Sequence, residues 1–404
     1  ILPRAVEIYA TLYPLAAQIY PVLVLLKLGL VFALMALPAI GFGATIPALL
    51  RTHRDVARES GQLLFVSSMA NALGFLLMAF ILHAFMDYGP LLVLISVLTV
   101  AALLLHAGPR RVTAWVAVGL ATLGGIASSV AWDEQLLYLG HTSFHSRDKL
   151  ERERQSRVIA ERFKGPRDVF AIIWKDNIPY FFINGYISIP LRGVDASEKV
   201  VGALATMLAP RTDNALVVGL GSGATAGAVG LVFDHTDVVE INRVVLTHLD
   251  LMSEYNFGID TNPRVKIIHD DGIHFIKSGG DKYSLILNTV TTPLYFSSSK
   301  MYTQDFFALV RSRLKPDGIY TTWIDGRIGD RGVDIILETL SREFAECWLT
   351  YLTNNYFMLA CGDAGIRAGQ LEAMEANARL RQEFIDELSL PPRMLQYGVI
   401  SIDA

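Results

Sequence analysis

The first 131 residues are almost continuously apolar, whereas residues 147–404 mix polar and apolar positions as globular domains do. A membrane-spanning helix needs about 20 consecutive apolar residues. Four stretches approach that length, and they are residues 20–37, 63–85, 91–105 and 112–132. A fifth and shorter stretch covers residues 8–19. The pattern predicts four or five transmembrane helices within residues 1–132.

Two prolines and two glycines, Pro38, Gly41, Gly43 and Pro47, follow the first long stretch in the sequence PAIGFGATIPALL. Proline removes a helix hydrogen bond, and glycine favours other backbone conformations. An interrupted helix survives in lipid only where neighbouring helices satisfy the freed backbone groups. We therefore expect the helical pattern to break here.

Small and polar residues recur along the apolar region, namely Gly41, Gly43, Ala44, Ser67, Ser68, Asn71 and Gly74. Between lipid-embedded helices, close approach through small residues and hydrogen bonds between polar ones drive association. These positions predict lateral helix contacts, either within the chain or with a second copy or another membrane subunit.

The pattern changes to alternating strands and helices after a polar connector, residues 133–165, which we expect to be helical over residues 149–163. The runs DVFAIIW and YFFINGYISI predict a β-hairpin. From Ala215 onward, strand and helix patterns alternate, which predicts a doubly wound α/β domain with a parallel sheet. We expect this domain to cover residues 166–365 and a polar helical tail to cover residues 366–404.

One segment of this domain, NALVVGLGSGATAGAVGLVFDHTDVVEINRVVLT, combines a strand, a glycine-rich loop, a helix and a second strand that ends in Glu240. Glycines let the backbone approach a ligand, and a helix N-terminus offers free N–H groups. An acid at the end of the second strand suits the two hydroxyls of a ribose. The segment therefore predicts an adenosine-type ligand.

Composition and charge exclude some function classes. Charged residues make up 18% of the chain, below the roughly 25% of soluble domains, and 52% is hydrophobic. A net charge of −4 gives no electrostatic reason to expect a nucleic-acid partner. The histidines lack metal-ligand spacing, so no metal site is predicted. The two cysteines, Cys347 and Cys361, do not identify a redox compartment by themselves.

The membrane orientation is ambiguous in the sequence. By the positive-inside rule, the arginines of the first and third loops place those loops in the cytoplasm and the α/β domain outside it. These arginines are Arg51, Arg54, Arg58, Arg110 and Arg111. Eight lysines and arginines in residues 147–167, and a cytosolic nucleotide ligand, would favour the inside. Long domains cross regardless of charge, so the extracytoplasmic side is slightly favoured.

A series of motifs in order resembles the spermidine synthase (polyamine aminopropyltransferase) family. They are FINGYIS, VVGLGSGAT, VVEIN, NPRVKIIHDDGIHFI, YSLILNTVTTP and MYTQDFFALVRSRLKPDGIY. GFGATIP and GQLLFVSSMANALG resemble its membrane-fused bacterial form. The resemblance implies a Rossmann-like domain of the class I methyltransferase type, a bacterial inner-membrane location, and S-adenosylmethionine or a related adenosyl nucleotide as ligand.

The family's nucleotide site maps onto Gly219, Gly221, Gly223, Glu240, Asp271 and Gly272. The resemblance implies that the three loop glycines face the nucleotide and that Glu240 holds the ribose hydroxyls. It implies that Asp271 and Gly272 meet the adenine amino group. The residues alone also allow simpler roles, because glycines serve tight turns and an aspartate before a helix serves as its N-cap.

The chain departs from the family where the acceptor chemistry occurs. The family's two acidic positions are occupied by Thr289 and Thr292, and a threonine hydroxyl is not a general base near neutral pH. Ser188 replaces a glutamine, and the Tyr-His-Glu segment that grips the diamine is replaced within ASEKVVGAL. We therefore expect no polyamine formation.

Two functions remain open from the sequence. In the first, the domain is a divergent relative that serves as a scaffold or accessory subunit of a membrane assembly. In the second, it is an active transferase that uses S-adenosylmethionine or its decarboxylated form on an acceptor other than a polyamine. Loss of the acids favours the first function, and the intact glycine loop favours the second.

Overall fold

The computed structural model describes residues 2–50, 56–107, 112–130, 132–133, 135–156, 158–165, 168–192, 197–290, 292–293, 298–353, 356–389 and 391–402. The chain divides into two compact units. The first comprises Ile1–Lys175 and Phe182–Ile187, and the second comprises Asp176–Phe181 and Ser188–Ala404. Of the five loop arginines used for the orientation argument, Arg51, Arg54, Arg110 and Arg111 lie outside the described residues, and Arg58 lies within them.

The first unit is built mainly from long apolar helices. They are α1 (Leu2–Ala16), α2 (Tyr20–Leu50), α3 (Val56–Leu77), α4 (Tyr88–Ala107) and α5 (Val112–Val130). A π-helical turn, Met78–Leu82, and a short helical segment, His83–Phe85, extend α3. The expected break at Pro38, Gly41, Gly43 and Pro47 is wrong, because α2 is helical throughout these positions. The continuous run of apolar helix formers around them outweighs the local preference of proline and glycine.

Among the described residues, one helix is both long and apolar enough to cross a membrane, at Ala57–Leu82. Three further apolar helical stretches are shorter, at Tyr20–Ala36, Tyr88–Ala102 and Trp115–Val130. Within the continuous 18-residue apolar stretch of this long helix, no residue is buried inside the protein. Of the four or five expected spans, one is therefore both long and apolar enough, and three correspond to the shorter apolar stretches.

The connector is only partly helical. Helix α6 covers Arg147–Ser156, and strand β1 covers Val158–Lys164, so the prediction of helix up to residue 163 is wrong in its second half. Strand β1 pairs antiparallel with β2 (Val169–Lys175), whose first five residues are buried. The buried partner strand decides the conformation, whereas the charged residues of β1 suit an edge strand.

Strands β3 (Ile178–Ile183) and β4 (Tyr186–Pro190) complete a four-stranded sheet of order β1-β2-β3-β4. Asp176 and Asn177, which connect β2 to β3, have φ values of 51° and 62°. Two consecutive residues with positive φ form the tight turn that matches the twist of a hairpin. The predicted hairpin is present between β2 and β3. The run YFFINGYISI is not a single strand as predicted, because a turn at Asn184 and Gly185, which both have positive φ, divides it into β3 and β4.

The second unit contains an eight-stranded sheet. Its strands are β5 (Asn214–Val218), β6 (His235–Glu240), β7 (Val265–His269), β8 (Tyr283–Asn288), β9 (Leu314–Asp325), β10 (Glu346–Thr353), β11 (Tyr356–Gly362) and β12 (Val399–Ile402). The order is β12-β10-β11-β9-β8-β5-β6-β7. Strands β5 to β9 pair in parallel, and β11 is antiparallel to both β9 and β10. This mixed sheet confirms the Rossmann-like α/β fold.

Helices separate the strands along the chain. They are α7 (Ser197–Leu208), α8 (Ala224–Gly230), α9 (Arg243–Thr247), α10 (Gly272–Ser278), α11 (Gln304–Arg313), α12 (Asp330–Ser341), α13 (Leu371–Ala376) and α14 (Ala378–Leu388). All six residues of β8 are buried, as are the last four of β5, which is typical of central parallel strands. Their side chains, with those of α11 and α12, form the main core.

The C-terminal tail differs from the expected helical segment in its last part. Helices α13 and α14 are present, but Val399–Ile402 forms β12, which pairs antiparallel with β10. Four residues give too short a pattern to predict a strand from sequence alone. Pairing with the edge of the sheet supplies the backbone hydrogen bonds that select this conformation.

Candidate functional site

The order of the eight-stranded sheet places a candidate site at the carboxyl ends of β5 and β8. These neighbouring parallel strands are where the chain direction across the sheet reverses. Such reversal points leave a crevice outside the strand ends, where doubly wound proteins bind ligands. The loops that follow are Gly219–Gly223 after β5 and the segment beginning at Thr289 after β8.

The glycine loop has the conformation that only glycine adopts easily. Gly219, Gly221 and Gly223 have φ values of 93°, 55° and 85°. The Gly219 N–H donates to the Val239 carbonyl at 2.8 Å, which ties the loop to β6. A Cβ atom on Gly219 would lie 2.5 Å from Thr289 Oγ1, so a side chain there would collide with the segment after β8. The loop is therefore a tight backbone turn at the carboxyl end of β5.

Glu240 closes the glycine loop from the end of β6. Its Oε2 accepts from the Leu220 N–H at 2.9 Å, and its Oε1 accepts from the Asn242 N–H at 2.7 Å. Only 9% of the residue is exposed. Both carboxylate oxygens therefore stabilise the backbone of the two loops, in the place where the resemblance implies a ribose.

Asp271 is the N-cap of α10. Its Oδ1 accepts from the Ile273 N–H at 2.8 Å and from the His274 N–H at 3.1 Å. A Cβ atom on Gly272 would lie 2.5 Å from Val218 Cγ1, so glycine is required for the helix to pack on β5. The neighbouring Asp270 bonds to the His274 ring, which lowers the pKa of that carboxyl. Asp271 and Gly272 thus have structural roles at the position expected to meet adenine.

Thr289 holds the most telling contact of the site. Its hydroxyl lies 3.0 Å from the Val218 carbonyl and 2.8 Å from the Gly219 carbonyl, and it is the donor to both. A carboxylate has no proton to donate and would place negative charge against these two oxygens. The threonine therefore joins the loop after β8 to the loop after β5, and its geometry suits a structural donor.

Thr292 is 5% exposed, and its carbonyl accepts from Ser298 Oγ at 2.6 Å. Tyr302 donates from its hydroxyl to the Val290 carbonyl and, at 3.3 Å, to the Trp323 carbonyl. Burial raises the pKa of Tyr302, so this phenol remains protonated. The second family position therefore also carries no ionisable base, and the phenol of Tyr302 near it stays protonated.

The replaced diamine segment lies on α7, which packs on α8. A Cβ atom on Gly202 would lie 2.3 Å from the Thr225 carbonyl, so α7 and α8 pack backbone to backbone. Lys199 is 2% exposed, forms an ion pair with Glu383 of α14, and lies 5.5 Å from the Phe257 ring centre. The side chain of Ser188, the other replaced position, lies outside the described residues. The described residues Lys199 and Gly202 of this segment thus pack within the domain.

One residue of the site was missed by the sequence analysis. Glu198 of α7 accepts from Ser222 Oγ at 2.8 Å, and Ser222 lies between two loop glycines. Burial raises the pKa of Glu198 to about 8, although the hydrogen bond from Ser222 opposes the shift. A glutamate in the first turn of a helix normally reads as a helix-dipole partner. Only its burial under the loop distinguishes it.

No group of three metal-ligating side chains occurs in the part of the chain that the structure describes. A cavity of about 270 Å³ is present, but it lies at the opposite ends of the strands, where β8 and β9 begin. Its lining includes Lys282, Arg311, Lys315 and Asp363. It is therefore separate from the candidate site.

Comparison with known proteins relates this domain to polyamine enzymes. Residues 195–326 match the spermine/spermidine synthase domain. The polyamine aminopropyltransferase of Pyrobaculum calidifontis is 33% identical over 133 residues, which cover 30% of this chain and 43% of that enzyme. The enzyme of Saccharolobus islandicus is 28% identical over 199 residues, or 47% of this chain and 66% of that enzyme. The chain thus spans about half the length of the curated relatives it matches.

Among solved structures, spermidine synthase from Thermotoga maritima is similar with a TM-score of 0.48 and 15% identity. The similarity covers 58% of this chain and 86% of that enzyme.

Proposed function

We propose that this chain, which carries a spermidine-synthase-like domain at residues 195–326, does not form polyamines and acts as a scaffold or accessory subunit of a membrane assembly. The observation that carries the proposal is the hydroxyl of Thr289, which is directed at the carbonyls of Val218 and Gly219. A family position that implies a base is used here to hold two loops together.

Aminopropyl transfer needs a group that takes a proton from the attacking amine, which is ammonium near neutral pH. Thr289 cannot take that proton, and neither can the protonated Tyr302. Glu240 and Asp271 accept hydrogen bonds from their own loop and helix backbones. The polar groups of the site thus support the fold, which is what a scaffold requires.

The membrane role is supported by the outward-facing apolar side chains of the helix at Ala57–Leu82. Phe65 and Phe75 are 67% and 70% exposed. Exposed apolar surface in water costs about 25 cal/mol per Å², so these faces need lipid or other helices. We propose the bilayer and a second copy or another membrane subunit as partners. A bacterial inner membrane and an extracytoplasmic domain are part of this proposal.

A second candidate is an active transferase that uses S-adenosylmethionine or its decarboxylated form without a metal. The glycine loop favours it, because three positive-φ glycines at alternate positions, Gly219, Gly221 and Gly223, leave the backbone open to close approach by a ligand. Methyl transfer to a good nucleophile relies on alignment and needs less proton transfer than aminopropyl transfer.

The two candidates are separated by nucleotide binding and by assembly state. The full chain, purified in mild detergent, is melted with and without millimolar S-adenosylmethionine or methylthioadenosine. A ligand that binds only the folded state raises the melting temperature. The scaffold proposal expects no shift. A shift in the wild type that is lost in Glu240→Gln but kept in the control Glu338→Gln, an exposed position on α12, would support the transferase.

Assembly is tested by crosslinking in the membrane, followed by sizing in mild detergent. We expect a species larger than one chain, made of copies of this chain or of a defined partner subunit. A monomer before and after crosslinking would overturn the scaffold proposal.

A further inference from the structure

The two cysteines of the chain lie directly opposite each other on neighbouring strands. Cys347 of β10 pairs in register with Cys361 of β11, and their Cα atoms are 4.1 Å apart. A disulfide joins them across 14 residues. These are the only cysteines among the 404 residues, so the chain commits both of its thiols to one bond.

The location of the pair indicates a structural bond. Cys361 is completely buried in the main core of the second unit, and the partly buried Cys347 packs against that core. Redox catalysts need an accessible sulfur that an attacking thiolate can reach, often with a lowered thiol pKa. Among the described residues, neither cysteine belongs to a group that could hold a metal ion. The remaining role is to tie β10 to β11.

The bond lies in the antiparallel part of the sheet, toward the edge formed by β12. Strand β11 joins the outer strands to the parallel strands through β9, and β10 in turn carries the short β12. The bond therefore links β10, which carries β12, covalently to β11, the antiparallel neighbour of the parallel strand β9. It is independent of the glycine loop and of Thr289.

We infer that the second unit folds and works in an oxidising compartment, on the extracytoplasmic face of the membrane, with Cys347 and Cys361 joined. Cytosolic thiols are kept reduced, whereas structural disulfides persist outside the cytoplasm. The loop arginines of the sequence favour the same side. A cytosolic nucleotide would not reach a domain on that side of the membrane. This agrees with the contacts of Glu240, Asp271 and Thr289, which bond to backbone groups of the domain itself.

The first test is the oxidation state of the cysteines in the full chain. The protein is expressed in the membrane of a Gram-negative bacterium, and the cells are quenched in acid to prevent thiol exchange. The denatured protein is then treated with a maleimide-polyethylene glycol. We expect no mass shift without reductant and a shift of two labels after reduction. Because the chain has only two cysteines, the Cys347→Ala/Cys361→Ala variant must give no shift.

Two labels without reductant would overturn the inference, because both thiols would then be free in the cell. In a host strain without its periplasmic thiol oxidant, the inference expects the labelled, reduced form to accumulate. An unchanged oxidised form in that strain would count against oxidation outside the cytoplasm.

The second test is the side of the membrane, and it does not depend on the cysteines. Alkaline phosphatase, which is active only outside the cytoplasm, and green fluorescent protein, which fluoresces inside it, are fused after residue 404. We expect an active phosphatase and a dark fluorescent fusion. An oxidised pair together with an inactive phosphatase would also overturn the inference. The inference rests on the proposed function for the side of the membrane, but neither result depends on assembly state. A monomeric protein with an oxidised pair outside the cytoplasm would therefore overturn the scaffold role and leave this inference standing.

Discussion

The two halves of the candidate site differ in what their polar residues do. In the half formed by β5 and β6, the family pattern remains, with Glu240 accepting from the backbones of Leu220 and Asn242. In the half formed by β8, the family's acids are absent, and Thr289 donates to the carbonyls of the first half. A residue with a structural role is present in its expected form, whereas a residue with only a catalytic role is replaced.

Under the proposed function, this difference is the reason that a chain can keep the family's motifs without forming polyamines. The glycine loop and Glu240 hold the switch point of the sheet whether or not a nucleotide binds there. Function has to be argued from the chemistry of the site and not from the fold. The half that carries the acceptor chemistry therefore decides between the two candidate functions.

The largest expected effect concerns activity. With decarboxylated S-adenosylmethionine and putrescine, we expect turnover far below about 1 per second, an ordinary enzymatic rate. The reason is that neither the Thr289 hydroxyl, which donates to backbone carbonyls, nor the protonated Tyr302 can accept the amine proton. Product is measured by chromatography, with an authentic spermidine synthase as the positive control. Spermidine formed at an ordinary rate would show that the second half of the site is intact in function.

A further effect is a pH dependence of stability that we expect from Glu198, which bonds to the glycine loop of the first half. The folded-state pKa of Glu198 is raised to about 8 by burial, so the folded protein binds a proton that the unfolded chain releases near pH 4.5. The stability from this proton is complete below the unfolded pKa and is lost as pH rises toward about 8. We expect the free energy of unfolding to fall on the order of 4 kcal/mol across this interval.

Denaturant titrations between pH 5 and pH 9 measure this slope. Glu198→Gln keeps a hydrogen-bond partner for Ser222 but does not titrate, and it should flatten the profile. Glu338→Gln, which is exposed, is the matched control and should leave the slope unchanged. An identical slope in Glu198→Gln would assign the pH dependence to other groups.

Much of the fold was predictable because it depends on patterns within single elements. Alternating apolar runs and glycine punctuation predicted the parallel strands β5 to β9. Strands β1 and β12 were missed because pairing selects the conformation of each. The charged residues of β1 pair with the buried neighbouring strand β2, and the four residues of β12 pair with β10, far earlier in the chain. The continuity of α2 through Pro38 was likewise a property of the whole helix.

The site was predictable in its residue positions but not in its contacts. The sequence placed Thr289 at an acidic family position, but it did not show that the hydroxyl faces the Gly219 carbonyl. Burial of Glu198 and the register that brings Cys347 opposite Cys361 depend on three-dimensional packing. A register shift of one residue would have pointed the two cysteines to opposite faces.

The first half of the site is tested by removing its acid. Glu240→Ala leaves the Leu220 and Asn242 N–H groups without their acceptor, which should lower the free energy of unfolding by about 2–4 kcal/mol. Glu338→Ala removes only an exposed ion pair with Arg342 and should cost less than about 0.5 kcal/mol. Equal losses in chemical denaturation would mean that Glu240 has no structural role in the first half.

The smallest effect concerns the link between the halves. Thr289→Val removes the donor to the Val218 and Gly219 carbonyls, and it should lower the free energy of unfolding by about 1–2 kcal/mol. Thr289→Ser keeps the hydroxyl and should lose less. Thr289→Asp should lose more than Thr289→Val, because its carboxylate faces two carbonyl oxygens, and it should not create spermidine synthesis. Chemical denaturation of the three variants ranks them. If aspartate proved as stable as threonine, the hydroxyl would not be the link between the two halves, and position 289 would be free to carry a base.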